Sequence, residues 1–186
     1  MIRTLLLAAV ISVFAVGCAS MTPQKFDSAT LKFDPMMFFE GPVHSWGVIE
    51  NRKGSPQSRF RTEVEGRRTG DTLTLTQHFF YEDGRTQQRV WQVRRAGDHR
   101  FEATANDVSG PGPGLGEAYG NTFFWEYTLE LRPGNPLMNV QMHHWMYLQA
   151  DGTVMNRVRV TKFGITLSQI SEHFQRGTGE VPSIGR

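Results

Sequence analysis

Thr72-Leu-Thr-Leu-Thr-Gln-His-Phe-Phe-Tyr81 is followed by Glu82-Asp-Gly-Arg85 and then by Thr86-Gln-Gln-Arg-Val-Trp-Gln-Val-Arg94. In the first run Leu73, Leu75, Gln77, Phe79 and Tyr81 alternate with Thr72, Thr74, Thr76 and His78. This is the period of two that sends successive side chains to opposite faces of a strand. In the returning run Arg89, Trp91 and Val93 share one face. Asp83-Gly84 between them predicts a tight hairpin of type I′, in which both central residues take positive φ. Two adjacent antiparallel strands, each with a largely apolar face, set the fold class.

The same grammar extends in both directions. Phe60, Thr62 and Val64 alternate with Arg59, Arg61, Glu63 and Glu65, and His44 to Asn51 forms a preceding strand ended by Arg52-Lys-Gly54-Ser-Pro56. Downstream come Arg100 to Asp107, then Asn121 to Leu131 with Phe123, Trp125, Tyr127, Leu129 and Leu131 inward. Val140 to Gln149, Thr153 to Phe163 and Ile165 to Arg176 complete the series, although Ser168 to Phe174 fits helix or strand. Val108 to Gly120, VSGPGPGLGEAYG, reads as an irregular connection at a barrel rim. A meander of about nine or ten strands loses its unpaired edges by closing on itself. The expected fold is therefore all-β, an antiparallel up-and-down β-barrel of lipocalin type over residues 36–186.

The 186 residues are 39% hydrophobic, enough for one core. Twenty Lys and Arg against 18 Asp and Glu do not build the basic field that binds nucleic acid, so no such partner is expected. Gly110, Gly112, Gly114 and Gly116 lack the Gly-Lys-Ser/Thr ending of a phosphate loop, and Pro111 and Pro113 remove amide donors from it. His143 and His144 are neighbours on a strand and point to opposite faces, and no zinc-ligand spacing occurs. Neither metal nor cofactor is expected. There is no Gly-x-Ser-x-Gly nucleophile elbow, and Glu126 and Glu130 fall on the outward face.

Polar groups nevertheless fall on inward faces: Gln77 beside Phe79, Arg89 beside Trp91, and Asp107 after Phe101, Ala103 and Ala105. A barrel that only packs itself fills with apolar side chains, whereas one that holds a ligand adds a few polar groups to orient it. The candidate ligand-binding residues are Trp46, Phe60, Gln77, Phe79, Arg89, Trp91, Asp107, Trp125, Tyr127, Trp145 and Arg157, with Arg89 or Arg157 meeting an anionic head group. The competing reading is a buried Arg89–Asp107 ion pair without a ligand. For the tryptophans it is a plain core or girdle position.

At the N-terminus, Met1-Ile-Arg3 precedes an apolar run, Leu5 to Val16, too short to span a hydrocarbon core of ~30 Å. It has the form of a signal peptide. Ala15-Val-Gly17-Cys18 resembles a bacterial lipobox with Ala15 in place of the usual Leu, making residues 1–17 a lipoprotein signal and Cys18, the sole cysteine, the site of acylation, palmitate included. A secreted protein with a stray thiol is the other reading. Residues 18–35 read as the acylated cysteine and a flexible tether. Ala19 points to the outer membrane, facing the periplasm, and the membrane is the expected partner through the acyl chains. An acylated Cys18 leaves no thiol for disulfides or catalysis.

Several short motifs follow one another along the chain: Trp46-Gly-Val-Ile-Glu-Asn-Arg52, Arg59-Phe60, Tyr81-Glu-Asp-Gly84, Arg89-Val-Trp91, Ala105-Asn-Asp-Val108, Gly120-Asn121, Trp145-Met-Tyr-Leu148, Asn156-Arg157 and Lys162-Phe-Gly164. In that order they resemble the proteobacterial lipoproteins grouped as domain of unknown function 3833. The resemblance implies a lipocalin-like barrel and a gene-neighbourhood association with enzymes of cyclopropane and other modified fatty acids. It implies no catalytic residues. True lipocalins carry Gly-x-Trp in their first strand where this chain has His44-Ser-Trp-Gly47, so the likeness to them is architectural. The expected function is binding of a lipid or other amphipathic ligand in the envelope, for transport or maintenance. Two other readings stand beside it: a small enzyme acting on lipid through Asp107 or a histidine, and a ligand-free structural or interaction lipoprotein.

Overall fold

The computed structural model describes residues 21–110 and 112–177; the lipobox and Cys18 lie outside them. The strands are β1 Gly41–Asn51, β2 Pro56–Thr69, β3 Thr72–Tyr81, β4 Thr86–Arg95, β5 Arg100–Ala105, β6 Val108–Ser109, β7 Gly114–Tyr119, β8 Thr122–Leu129, β9 Val140–Leu148, β10 Val154–Lys162 and β11 Ile165–Arg176. All except β6 form a closed antiparallel ring in chain order, and β6 pairs with the end of β8. The ring closes where β1 meets β11, from Val43 opposite Arg176 to Asn51 opposite Ser168. The up-and-down lipocalin-like barrel expected from the alternation is the fold, and Ser168 to Phe174 is strand.

Two local expectations are corrected. The hairpin after Tyr81 is a three-residue turn in which Gly84 alone takes positive φ, with Gly84 N donating to Tyr81 O and Tyr81 N to Arg85 O. It is a type I turn with a bulge rather than type I′. The supposed rim loop also contains a strand, β7. Its inward positions are Gly114, Gly116 and the small Ala118, and a Cβ on Gly116 would lie 2.5 Å from Trp125 Cε3 and 2.6 Å from Phe123 Cε2. The rings of β8 fill the space that β7 side chains would occupy, so no apolar alternation marks the strand in the sequence.

The inner faces follow the predicted parity. Val43, Phe60, Val64, Leu73, Leu75, Trp91, Val93, Phe123, Trp125, Val154, Val158 and Phe174 are all buried. One end of the ring is sealed by the segment expected to be a tether, which from Thr22 onward belongs to the folded body. Pro23–Phe26 forms a 3-10 turn whose Phe26 packs on the outer-face rings of Trp145 and Tyr147. The chain then enters the barrel, with Phe33 N donating to Gly120 O and the Phe33 ring edge-on to Phe123 and Phe38. A single helical turn, α1 Pro35–Phe38, is capped by Asp34, whose side chain accepts from Met36 N. Asp34 also pairs with Arg95 at 2.8 Å. The aromatic residues at 26, 33, 38 and 39 give this segment apolar area to bury, which a solvated tether lacks.

Ring, plug and core are thus all drawn from residues 22–177. The plug backbone passes so close to β2 that any side chain at Gly66 would overlap the Phe39 carbonyl. Gly66→Ala is expected to cost about 1–3 kcal/mol in urea denaturation of the body from Thr22 to Arg186. It should also speed proteolysis between residues 22 and 40.

Candidate binding cavity

The alternation that builds the core leaves a cavity of about 580 Å³ along the barrel axis. Its lining runs from Pro35 and Phe39 of the plug to Arg85, Leu131 and Leu167 at the opposite strand ends, so the plugged end is closed and the other is the mouth. Phe60, Phe79, Trp91, Trp125, Met142 and Val158 supply apolar wall. The volume lies within the ≈ 300–1,000 Å³ of small-molecule pockets.

Halfway down, polar side chains form a hydrogen-bonded belt. Arg89 Nε donates to Asp107 Oδ1 and Oδ2 at 2.7 and 2.8 Å, and Arg89 Nη1 donates to Tyr127 OH at 3.3 Å. Tyr127 OH also lies 3.2 Å from His144 Nε2. On the far side of that ring, Asn156 Nδ2 is 3.2 Å from His144 Nδ1 and donates to Glu172 Oε2 at 3.0 Å. These contacts require the His144 tautomer protonated on Nε2. Ser45 Oγ donates to Glu172 Oε1 at 2.6 Å and is 2.6 Å from Thr62 Oγ1. Toward the mouth, Gln87 Nε2 donates to Asp107 Oδ2 at 3.0 Å, and Tyr81 OH donates to Gln87 Oε1 at 3.2 Å. One polar side chain after another therefore links β3, β4, β8, β9, β10, β11, β1 and β2.

Burial sets the protonation of this belt. It pushes Glu172 up to about 7, against the opposing pull of the Ser45 and Asn156 hydrogen bonds and the Arg89 charge. It pushes His144 down to about 3, helped by Arg89 and His143, so the imidazole is neutral. The Tyr127 phenol rises to about 12 for the same reason and is neutral too. Arg89 is 7% exposed, lies 5.4 and 5.6 Å from the Phe79 and Trp91 rings, and has Asp107 as its counter-ion.

Of the residues predicted to bind ligand, Phe60, Gln77, Phe79, Arg89, Trp91, Asp107, Trp125 and Tyr127 line the cavity. Trp46, Trp145 and Arg157 do not, because each alternates with an inward neighbour: Ser45, Met146 or His144, and Asn156 or Val158. Trp46 stacks on His173 on the outer face, Trp145 seats Phe26, and Arg157 is exposed. Arg157 therefore lies outside the cavity, and Arg89, inside it, is paired with Asp107. Sequence reasoning missed Glu172, Asn156 and His144. Their signal is the one that exposed Arg89: a polar residue in step with buried ones, as in Met142-x-His144-x-Met146, Val154-x-Asn156-x-Val158 and Ile170-x-Glu172-x-Phe174. His143, facing outward, lies 3.3 Å from Glu126. Among the described residues no group of three or more His, Cys, Asp or Glu is placed to hold a metal ion.

The family model described as protein of unknown function DUF3833 matches residues 12–176, and the chain belongs to that family. No curated protein matches it by sequence. Among solved structures it is similar to the S-type phycobiliprotein lyase from Guillardia theta, with 8% identity and a TM-score of 0.57, covering 78% of this chain and 92% of that one. At that identity the likeness is one of fold.

The two shifted groups act on stability in opposite senses. Glu172, raised from 4.5 to about 7, makes stability fall as pH rises through that window, because the folded state holds the extra proton. His144, lowered from 6.5 to about 3, makes stability fall as pH drops through its own window. Where the windows overlap the effects oppose one another. Glu172→Gln is therefore expected to gain stability over wild type as pH rises from 5 to 8, by on the order of 3 kcal/mol, leaving the acid-side loss from His144. Urea denaturation of both proteins at pH 5 and 8 measures the difference.

Proposed function

We propose that this chain is an envelope lipoprotein, anchored through an acylated Cys18, whose barrel binds one amphipathic lipid-class molecule. The apolar part of the ligand lies along the ring-lined wall and its polar head rests on the belt. The observation that carries this reading is an apolar cavity crossed at mid-depth by a hydrogen-bonded belt with no excess positive charge. Arg89 is matched by Asp107, and Glu172, pushed up to about 7 by burial, is largely neutral at slightly acid pH. Such a belt favours an uncharged, hydrogen-bonding head such as an alcohol, ester or amide over a carboxylate or phosphate, which would face Asp107 without a free counter-ion.

The cavity also favours a binder over a cavity-free scaffold, since a purely structural barrel gains by filling its interior. Catalysis through the residues considered earlier has less support. Asp107 already accepts from Arg89 and Gln87, and His144, at about 3, is a weak base at neutral pH. In this reading the acyl anchor holds the closed end of the barrel beside its membrane, because the link from Cys18 to Thr22 spans at most about 14 Å of extended chain. The mouth points away from that membrane.

Native mass spectrometry of the body from Thr22 to Arg186, purified from a bacterial membrane extract, is expected to show one bound lipid-class molecule. In competition with ligands of equal chain length, a fatty alcohol or monoacylglycerol should bind at least about ten-fold more tightly than the fatty carboxylate at pH 8. Asp107→Asn, which frees the Arg89 charge, should shrink or reverse that ratio. Bare protein across all lipid classes, or a preference of the wild type for the carboxylate, would count against the proposal.

A further inference from the structure

The rim of the mouth is uneven. Along the arc formed by the loop between β8 and β9, the turn between β10 and β11, and the start of β11, large apolar side chains stand in solvent. Phe163 is 88% exposed, Leu137 76%, and Ile165, Leu131, Leu167 and Met138 between 43% and 59%. These pieces are tied together: Lys162 Nζ donates to the Leu137 carbonyl and sits 5.4 Å from the Phe163 ring. Asn51 pairs with Ser168, which brings the β1–β2 turn alongside. Phe163 and Gly164 form a two-residue turn with φ of 49° and 77°, a geometry that Asn-Gly adopts most easily. A phenylalanine there carries conformational cost and gains little burial among the described residues to offset it.

The same arc holds five cations, Arg52, Lys53, Arg132, Arg159 and Lys162, against three carboxylates, Glu50, Glu126 and Glu130, the second of them beside His143. Among the described residues none of the five takes part in an ion pair. Across the mouth the charges are matched, with Arg59 on Glu82 and Arg85 on Asp83. The exposed apolar residues and the unmatched cations thus coincide on one side of the opening.

We propose that this arc docks on the surface of an anionic phospholipid bilayer. Phe163, Leu137 and Ile165 enter the head-group layer while the surrounding cations meet lipid phosphates. Charge selects this occupant over a second copy of the chain, because two such arcs would bring unpaired cations face to face. Leu131 and Leu167 continue from the patch into the cavity lining, so docking joins the cavity to the acyl layer. The inference rests on the rim and stands whether or not the cavity takes a lipid. Combined with the Cys18 anchoring proposed above, it makes the docked bilayer one that faces the anchoring membrane.

The test is flotation of the body from Thr22 to Arg186, first shown to be folded by near-UV circular dichroism. One set of vesicles contains phosphatidylethanolamine and phosphatidylglycerol; the other is phosphatidylcholine alone. Binding is expected to the anionic vesicles and to weaken as salt rises. Phe163→Asp, a residue that tolerates positive φ, should lower partitioning roughly ten-fold. Arg52→Glu with Lys53→Glu should have an effect of similar size. Arg67→Glu with Arg68→Glu, exposed at the closed end, should leave partitioning unchanged. Absence of wild-type binding, equal binding to neutral vesicles, or an equal loss in the closed-end variant overturns the proposal. So does a concentration-dependent dimer abolished by Phe163→Asp without vesicle binding, which assigns the face to a second copy. Retention of the cavity ligand by Phe163→Asp in native mass spectrometry separates the rim from the cavity.

Discussion

The pairing of the first strand with the last turns a meander into a barrel, and the Glu172 carboxyl sits on that seam. From β11 it accepts from Ser45 on β1 and from Asn156 on β10, so the bonds that hold the carboxyl also bridge the strands that close the ring. The other ring contacts join strands close to one another in the chain. The seam alone joins residues 43–51 to residues 168–176, a long-range contact with the largest loop-closure entropy in the barrel.

From the seam the polar belt runs round the interior to Arg89 and Asp107. An apolar interior of the same volume would be at least as stable, since buried ion pairs gain little over well-packed hydrophobic side chains. A cavity also forfeits packing. Both departures meet where the belt crosses the cavity, with Asn156 Oδ1 left buried without a hydrogen-bond partner and the wall above and below aromatic or aliphatic. That coincidence gives the interior the character of a site. It also explains why the Arg89–Asp107 pair and the cavity, which are rival readings in the sequence, coexist in the structure.

The two ends of the barrel have opposite character because the N-terminal segment belongs to one of them. Phe33, Phe38 and Phe39 seal the closed end against Phe123 and Phe174, while Phe26 clamps the segment to Trp145 and Tyr147 outside. A segment rich in polar residues reads as a tether when its scattered aromatics have no visible partners. Those partners lie on strands about a hundred residues further along the chain.

Period-two alternation within hairpins is a local property, and whatever depended on it was legible. The strands, their inward faces and the placement of Phe60, Gln77, Phe79, Arg89, Trp91, Asp107, Trp125 and Tyr127 in the interior all follow from it. Trp46, Trp145 and Arg157 qualify by residue type alone, and parity sends them outward. Glu172, Asn156 and His144 obey the same parity as Arg89, but their meaning depends on meeting one another across strands. The β7 strand left no pattern because two of its three inner positions are glycines covered by the rings of its neighbour. The chain by itself thus determined an antiparallel barrel with polar residues turned inward, since alternation and turns act between near neighbours. Tertiary structure alone decided which polar residues join into a belt, which end is plugged and which rim stays exposed, because those relations exist only once the first and last strands have met.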